Sequence, residues 1–122
     1  MKTISMLMGI GFLCMPSTAQ SRRTPEEKAR YYSNQLKTDV ALDSNQYRSV
    51  FSINLRVSQQ IDSLYALPLD EQSRKRSMIP IFRERDSLFR QVLTTVQFLK
   101  YDDLQRERRQ KKLEEKKKAE KG

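Results

Sequence analysis

From residue 20 onward, apolar residues recur at spacings of three and four, and no stretch alternates with a period of two. That pattern predicts an all-α chain without strands. Thr24, Pro25 and Glu27 predict the first helix start: a hydroxyl cap, a ring whose φ already suits the first turn, and a carboxylate that reaches back to the cap. This helix is expected to run to about Val40 on a thin apolar line of Tyr32, Leu36 and Val40, with Ala29 and Tyr31 beside it. A second helix is expected from Ser44 to Ala66, ending before Pro68. On it, Val50, Ile53, Val57, Ile61 and Leu64 form one stripe, and Tyr47, Phe51, Leu55 and Tyr65 form another next to it. The combined stripe is wider than a single partner helix would cover. Its width is met either by a second helix of the same core or a dimer partner, or by an open apolar surface that binds something.

A third helix is expected from Asp70, with Ile81, Phe82, Leu88, Phe89 and Val92 on its apolar face. Pro80 removes a hydrogen bond and clashes with the previous turn, so a kink or break is expected near Met78. Arg85 falls near the middle of that face, where an ion pair or a snorkelling stem keeps it from being an uncompensated buried charge. A fourth helix follows Thr94 and carries Val96, Leu99 and Leu104. From Arg106 the chain reads RERRQKKLEEKKKAEKG, nine Lys or Arg against four Glu, with only Leu113 and Ala119 apolar. Such a run has no stripe to bury. It is expected to be a solvated helical extension that frays into disorder, serving as a solubilising tail or as an electrostatic arm for anionic partners.

Two short stretches echo one another. LDSNQY covers Leu42 to Tyr47, and LTTVQF covers Leu93 to Phe98. With Asp43 and Thr94 as N-caps, Gln46 and Gln97 sit at the third helical position and can bond back to the cap. Leu42 with Tyr47 and Leu93 with Phe98 then occupy the two positions of a hydrophobic staple. Both stretches are therefore expected to be structural helix starts and not active sites.

Composition narrows the function. Residues 1–19 carry Lys2, the uncharged apolar run from Ile4 to Met15, Pro16 and the small residues Ser17 and Ala19, which is the pattern of a signal peptide cleaved after Ala19. Removal of Lys2 would take the net charge from +9 to +8, and removal of Cys14 would leave no cysteine. The basic balance favours acidic partners, and export argues against nucleic acid. With no histidine in the chain, the commonest general base and metal ligand is missing. No phosphate-cradling glycine loop or nucleophile elbow is present, and Asp102-Asp103 and Glu114-Glu115 are neighbours that do not face one another on a helix. Neither catalysis nor a cofactor nor a metal site is expected.

The paired stretches LDSNQ (42–46) and LTTVQ (93–97), in an exported, basic, all-helical chain, resemble the LTXXQ-motif, Spy/CpxP-like periplasmic proteins. TPEEKA (24–29) and QYRSVFSINL (46–55) are similar to versions in Bacteroidetes-type bacteria. The second stretch matches the motif in full, and the first has Asp43 in place of Thr, which keeps the capping chemistry. The resemblance implies a domain over residues 20–105 followed by the extension at 106–122, with four helices, a long kinked helical hairpin and a curved dimer. It implies an ATP-independent chaperone or envelope-stress adaptor for unfolded or partly folded envelope proteins. A second branch implies a regulatory protein that restrains an envelope-stress sensor kinase, and the metal-binding branch is at odds with the missing His and Cys. A cell-wall-associated helical protein with an adhesive tail is a third reading. Helical phase nominates Phe51, Leu55, Phe82 and Phe89 as apolar client contacts, and Arg48, Arg56, Arg83 and Arg85 as steering charges.

Overall fold

The structure is a computed structural model that describes residues 23–121. The expected leader, its cleavage point and Cys14 lie outside the described residues. Four helices follow one another: α1 (Pro25–Val40), α2 (Ser44–Tyr65), α3 (Glu71–Val92) and α4 (Thr95–Lys121). The domain is all-α, and no strand occurs among the described residues. Each helix packs on the next, and α4 returns to pack on α1.

Local chemistry sets the helix ends. The Thr24 hydroxyl accepts from the Glu27 N–H at 3.1 Å, and the Thr24 N–H donates to the Glu27 carboxylate at 2.8 Å. That reciprocal pair satisfies two of the N–H groups a helix start leaves open. α1 stops at Ala41, a non-glycine residue at φ 57°, whose N–H still bonds to the Lys37 carbonyl. A left-handed alanine carries a steric cost of ~1–2 kcal/mol. Burial of the adjacent Leu42, only 7% exposed, holds the corner in that conformation. At the start of α3 the Asp70 carboxylate accepts from the Ser73 N–H at 2.7 Å. That backbone bond, helped by the Ser73 hydroxyl, holds the Asp70 pKa below its ordinary value.

The α1–α2 seam is narrow because its residues are small. Ala29 and Ser33 of α1 are fully buried, and Asn54 and Ser58 of α2 nearly so. The Asn54 amide donates to the Ser33 hydroxyl at 3.0 Å, so these two buried side chains satisfy one another. Lys28 pairs with Asp62 at 2.9 Å, and the Tyr47 hydroxyl donates to Asn34 at 2.7 Å, which fixes the antiparallel register.

The apolar core lies at one end of the domain. Leu36, Val40, Leu42, Val50, Phe89, Leu93 and Tyr101 form one buried cluster, with Tyr47, Ile53, Val92 and Phe98 packed against it. Towards the other end the apolar side chains are more open: Tyr65, Leu67 and Ile79 are each about half exposed.

Two expectations about the helices are corrected. α3 runs through Pro80 as one helix, so of the kink or break expected near Met78 the break does not occur. Pro80 and Arg76, whose carbonyl loses its helical donor, are both exposed, so the lost bond falls on the solvent side of the helix. The charged extension is helical to Lys121 and does not fray as expected. Its Lys, Arg, Glu, Gln and Leu residues are good helix formers, and no Gly, Pro or β-branched residue interrupts them before Lys121. Arg106 to Asp102, at 2.6 Å, and Gln110 to Glu114, at 3.4 Å, add supports at i and i+4.

Candidate functional site

The two echoing stretches meet. Gln46 and Gln97 each complete a capping box on their own helix: the Asp43 N–H donates to Gln46 Oε1 at 3.1 Å, and the Thr94 N–H to Gln97 Oε1 at 2.9 Å. The caps answer, with the Gln46 N–H donating to Asp43 at 2.8 Å and the Gln97 N–H to Thr94 at 3.1 Å. The two side-chain amides then engage each other. Gln46 Nε2 donates to Gln97 Oε1 at 2.7 Å, and Gln97 Nε2 donates to Gln46 Oε1 at 3.2 Å. Each also reaches a helix end from the other corner: Gln46 Nε2 bonds to the Val92 carbonyl at 3.2 Å, and Gln97 Nε2 to the Val40 carbonyl at 3.1 Å. One side chain thus closes the N-terminus of its own helix and the C-terminus of another, whose last carbonyls lack helical donors. Leu42 and Leu93 sink into the core, and Tyr47 and Phe98 pack on it. This clasp fixes the angles of all four helices and so shapes the surface beyond the core.

That surface is a groove of about 380 Å³ to which all four helices contribute. Val57, Ile61, Met78 and Phe82 line it, and the nearly buried rings of Phe89 and Tyr101 close its inner part. The two rings meet edge to face with centroids 5.2 Å apart. The Tyr101 hydroxyl donates to Asp86 at 2.8 Å, and burial raises its pKa well above the usual phenol value. Arg85 donates through Nε to the same carboxylate oxygen at 3.0 Å, while its guanidinium lies 4.8 Å from the Phe82 ring centroid. The sequence-based expectation for this residue, pairing with a shielded stem, matches that geometry. Arg108 from α4 pairs with Asp39 of α1 at 3.0 Å on the same lining. The arrangement offers apolar walls edged by cations. Among the described residues there is no group of three or more Cys, His, Asp or Glu able to hold a metal ion.

Of the nominated contacts, Phe82, Phe89 and Arg85 come together on this lining. Phe89 is only 2% exposed and acts there as core, with little surface to present. Phe51 and Leu55 are half-buried and do not line the groove; Phe51 stacks on Tyr47 instead. Arg48 is exposed and bonds to Asn45 one turn back. Arg56 pairs across helices with Glu84 at 3.5 Å, and Arg83 is exposed away from the lining. Sequence reasoning passed over Met78, Tyr101, Gln105 and Arg108. Val57 and Ile61 were visible as the stripe in phase with Val50, and the fully buried Val50 marks that stripe as the one turned towards the other helices.

No family model matches the chain, and no curated protein or solved structure matches it either. No helix among the described residues is long and apolar enough to cross a membrane.

Proposed function

We propose that the protein is an ATP-independent chaperone or stress adaptor of the bacterial periplasm, exported by its leader, that holds unfolded or partly folded envelope proteins. The observation that carries this reading is the open groove, with Val57, Ile61, Met78 and Phe82 beside the cations Lys28, Arg85 and Arg108. Long-range attraction brings an acidic client to the rim, and apolar contacts of modest area then retain it loosely. In this reading the protein works as a curved dimer, and the half-exposed Tyr65, Leu67 and Ile79 are apolar side chains available to a partner.

The test is suppression of aggregation of an unfolding protein by the purified protein, without ATP, at low and high salt. Protection that weakens with salt is expected. No protection at several-fold excess refutes the chaperone reading and moves the proposal to restraint of a sensor kinase.

A further inference from the structure

The groove does not end at its cationic rim. A second depression, about 460 Å³, lies between α1 and α4, and Tyr32, Gln35, Arg85, Gln105 and Arg108 line both. The two therefore adjoin across these shared side chains and make a composite site with chemically different halves. The first half is walled by Val57, Ile61, Met78 and Phe82. The second adds Arg109, Lys111 and Lys112 to the shared Arg85 and Arg108, against the single carboxylate of Glu115. Arg85 and Arg108 already face Asp86 and Asp39, whereas Arg109, Lys111 and Lys112 make no ion pair or hydrogen bond with any described residue. Tyr31 and Tyr32, each about half exposed, complete the cationic half.

We infer that this composite site binds a single-chain anionic amphiphile: an acyl or alkyl chain in the groove and a phosphate or carboxylate headgroup in the α1–α4 cleft. The groove volume is in the range of small-molecule sites, which are mostly apolar with a few placed polar groups. At roughly 30 Å³ per liquid water, and about the same per methylene, it accepts on the order of a dozen methylene groups. The headgroup meets Arg85 and Arg108 at the junction and the unpaired cations beyond it. Charge-assisted bonds to such groups are among the stronger polar contacts available to a ligand.

A polypeptide client laid across the groove mouth keeps its backbone in water, but a segment buried along the apolar half does not. It would bring an N–H and a C=O with every residue, and these need partners when buried. Val57, Ile61, Met78 and Phe82 offer none, the buried Asn54 amide on the lining is engaged by Ser33, and the other neutral polar positions, Gln35, Ser58 and Gln105, are few beside the two groups each residue brings. An alkyl chain makes no such demand. Insertion of α4 into a bilayer is a poor alternative for the cationic half, because Leu113 and Ala119 are the only apolar residues beyond Arg106 and give the helix no apolar face.

The experiment is calorimetric titration of the purified protein with dodecyl phosphate below its micelle concentration. Inorganic phosphate, dodecyl maltoside and an acidic, apolar-rich peptide are titrated in parallel. One dodecyl phosphate per chain is expected, with phosphate alone and the neutral detergent each at least about tenfold weaker. The double substitution Arg109→Glu/Lys112→Glu is expected to weaken dodecyl phosphate about tenfold and to leave the helical circular dichroism unchanged, since neither residue has a partner to lose among the described residues. Ile61→Glu, in the other half, is expected to weaken the same ligand while leaving those cations in place. Equal binding of dodecyl maltoside overturns the headgroup assignment, and equal binding of phosphate overturns the chain assignment. Binding of the peptide alone overturns the amphiphile in favour of a polypeptide ligand. These outcomes do not depend on whether the protein suppresses aggregation.

Discussion

Gln97→Glu separates the two roles that the structure gives to one side chain. A capping box accepts Glu as readily as Gln, so a residue that only caps would tolerate the change. In this chain the carboxylate keeps the bond from the Thr94 N–H, at 2.9 Å in the parent, and the one from Gln46 Nε2, at 2.7 Å. It loses the donations to the Val40 carbonyl at 3.1 Å and to Gln46 Oε1 at 3.2 Å, and sets a negative oxygen against both acceptors. Two partly buried hydrogen bonds at ~1 kcal/mol each, plus that repulsion, give a loss of about 2–3 kcal/mol. For a domain of this size, that is a fall in Tm on the order of 10–20 °C at neutral pH. Thermal melts followed by circular dichroism at pH 7 read the loss. If the variant melts with the parent at pH 7, the clasp contributes nothing beyond capping and the reasoning fails. The paired Gln46→Ala and Gln97→Ala variants add a second check: their double mutant should cost less than the sum of the singles by about 1 kcal/mol or more.

Tyr101→Phe removes the bond to Asp86 and is expected to cost about 1 kcal/mol at neutral pH, read by urea denaturation. The same residue sets an alkaline limit: its folded pKa is raised by burial, so its stabilisation is fully present below the ordinary value of 10.0 and is lost as pH rises towards the folded value. Between pH 8 and 11 the parent should therefore lose more stability than Tyr101→Phe does. Asn54→Ala is expected to cost about 1–3 kcal/mol in the same assay, because it opens a space in the α1–α2 seam and leaves the buried Ser33 hydroxyl without its partner.

The helix starts were legible in the sequence because capping is a conversation among four or five neighbouring residues. Thr24, Asp43 and Thr94 each cap where spacing placed them, with Glu27, Gln46 and Gln97 answering. The clasp was not legible, since the second half of each glutamine's bonding goes to residues about fifty positions away, and nothing in local spacing announces that. The wide apolar face of α2 was visible, but its two stripes are equally greasy. What distinguishes them is the small-residue seam of Ala29, Ser33, Asn54 and Ser58, polar enough by composition to read as surface. Tyr101 escaped notice beside Asp102 and Asp103, which make its neighbourhood look solvated, although its ring turns inward onto Phe89. Arg108 belongs to a charge run, and only the return of α4 to α1 reveals that it has a fixed partner. Pro80 was weighed by its local effect, and α3 nonetheless continues through it with the lost bond on its exposed side.

The clasp has a bearing on how the chain is stitched together. Its reciprocal bonds join the α1–α2 corner to the α3–α4 corner, and the segment 66–70 between α2 and α3 takes no part in them. The α1–α2 and α3–α4 halves, which also pack through α2 and α3, thus relate to each other as two complementary fragments that share a covalent tether. Lengthening or nicking that tether leaves the corner-to-corner bonding set intact, whereas a change of one residue between Asp43 and Gln46, or between Thr94 and Gln97, shifts an amide out of reach of both partners at once.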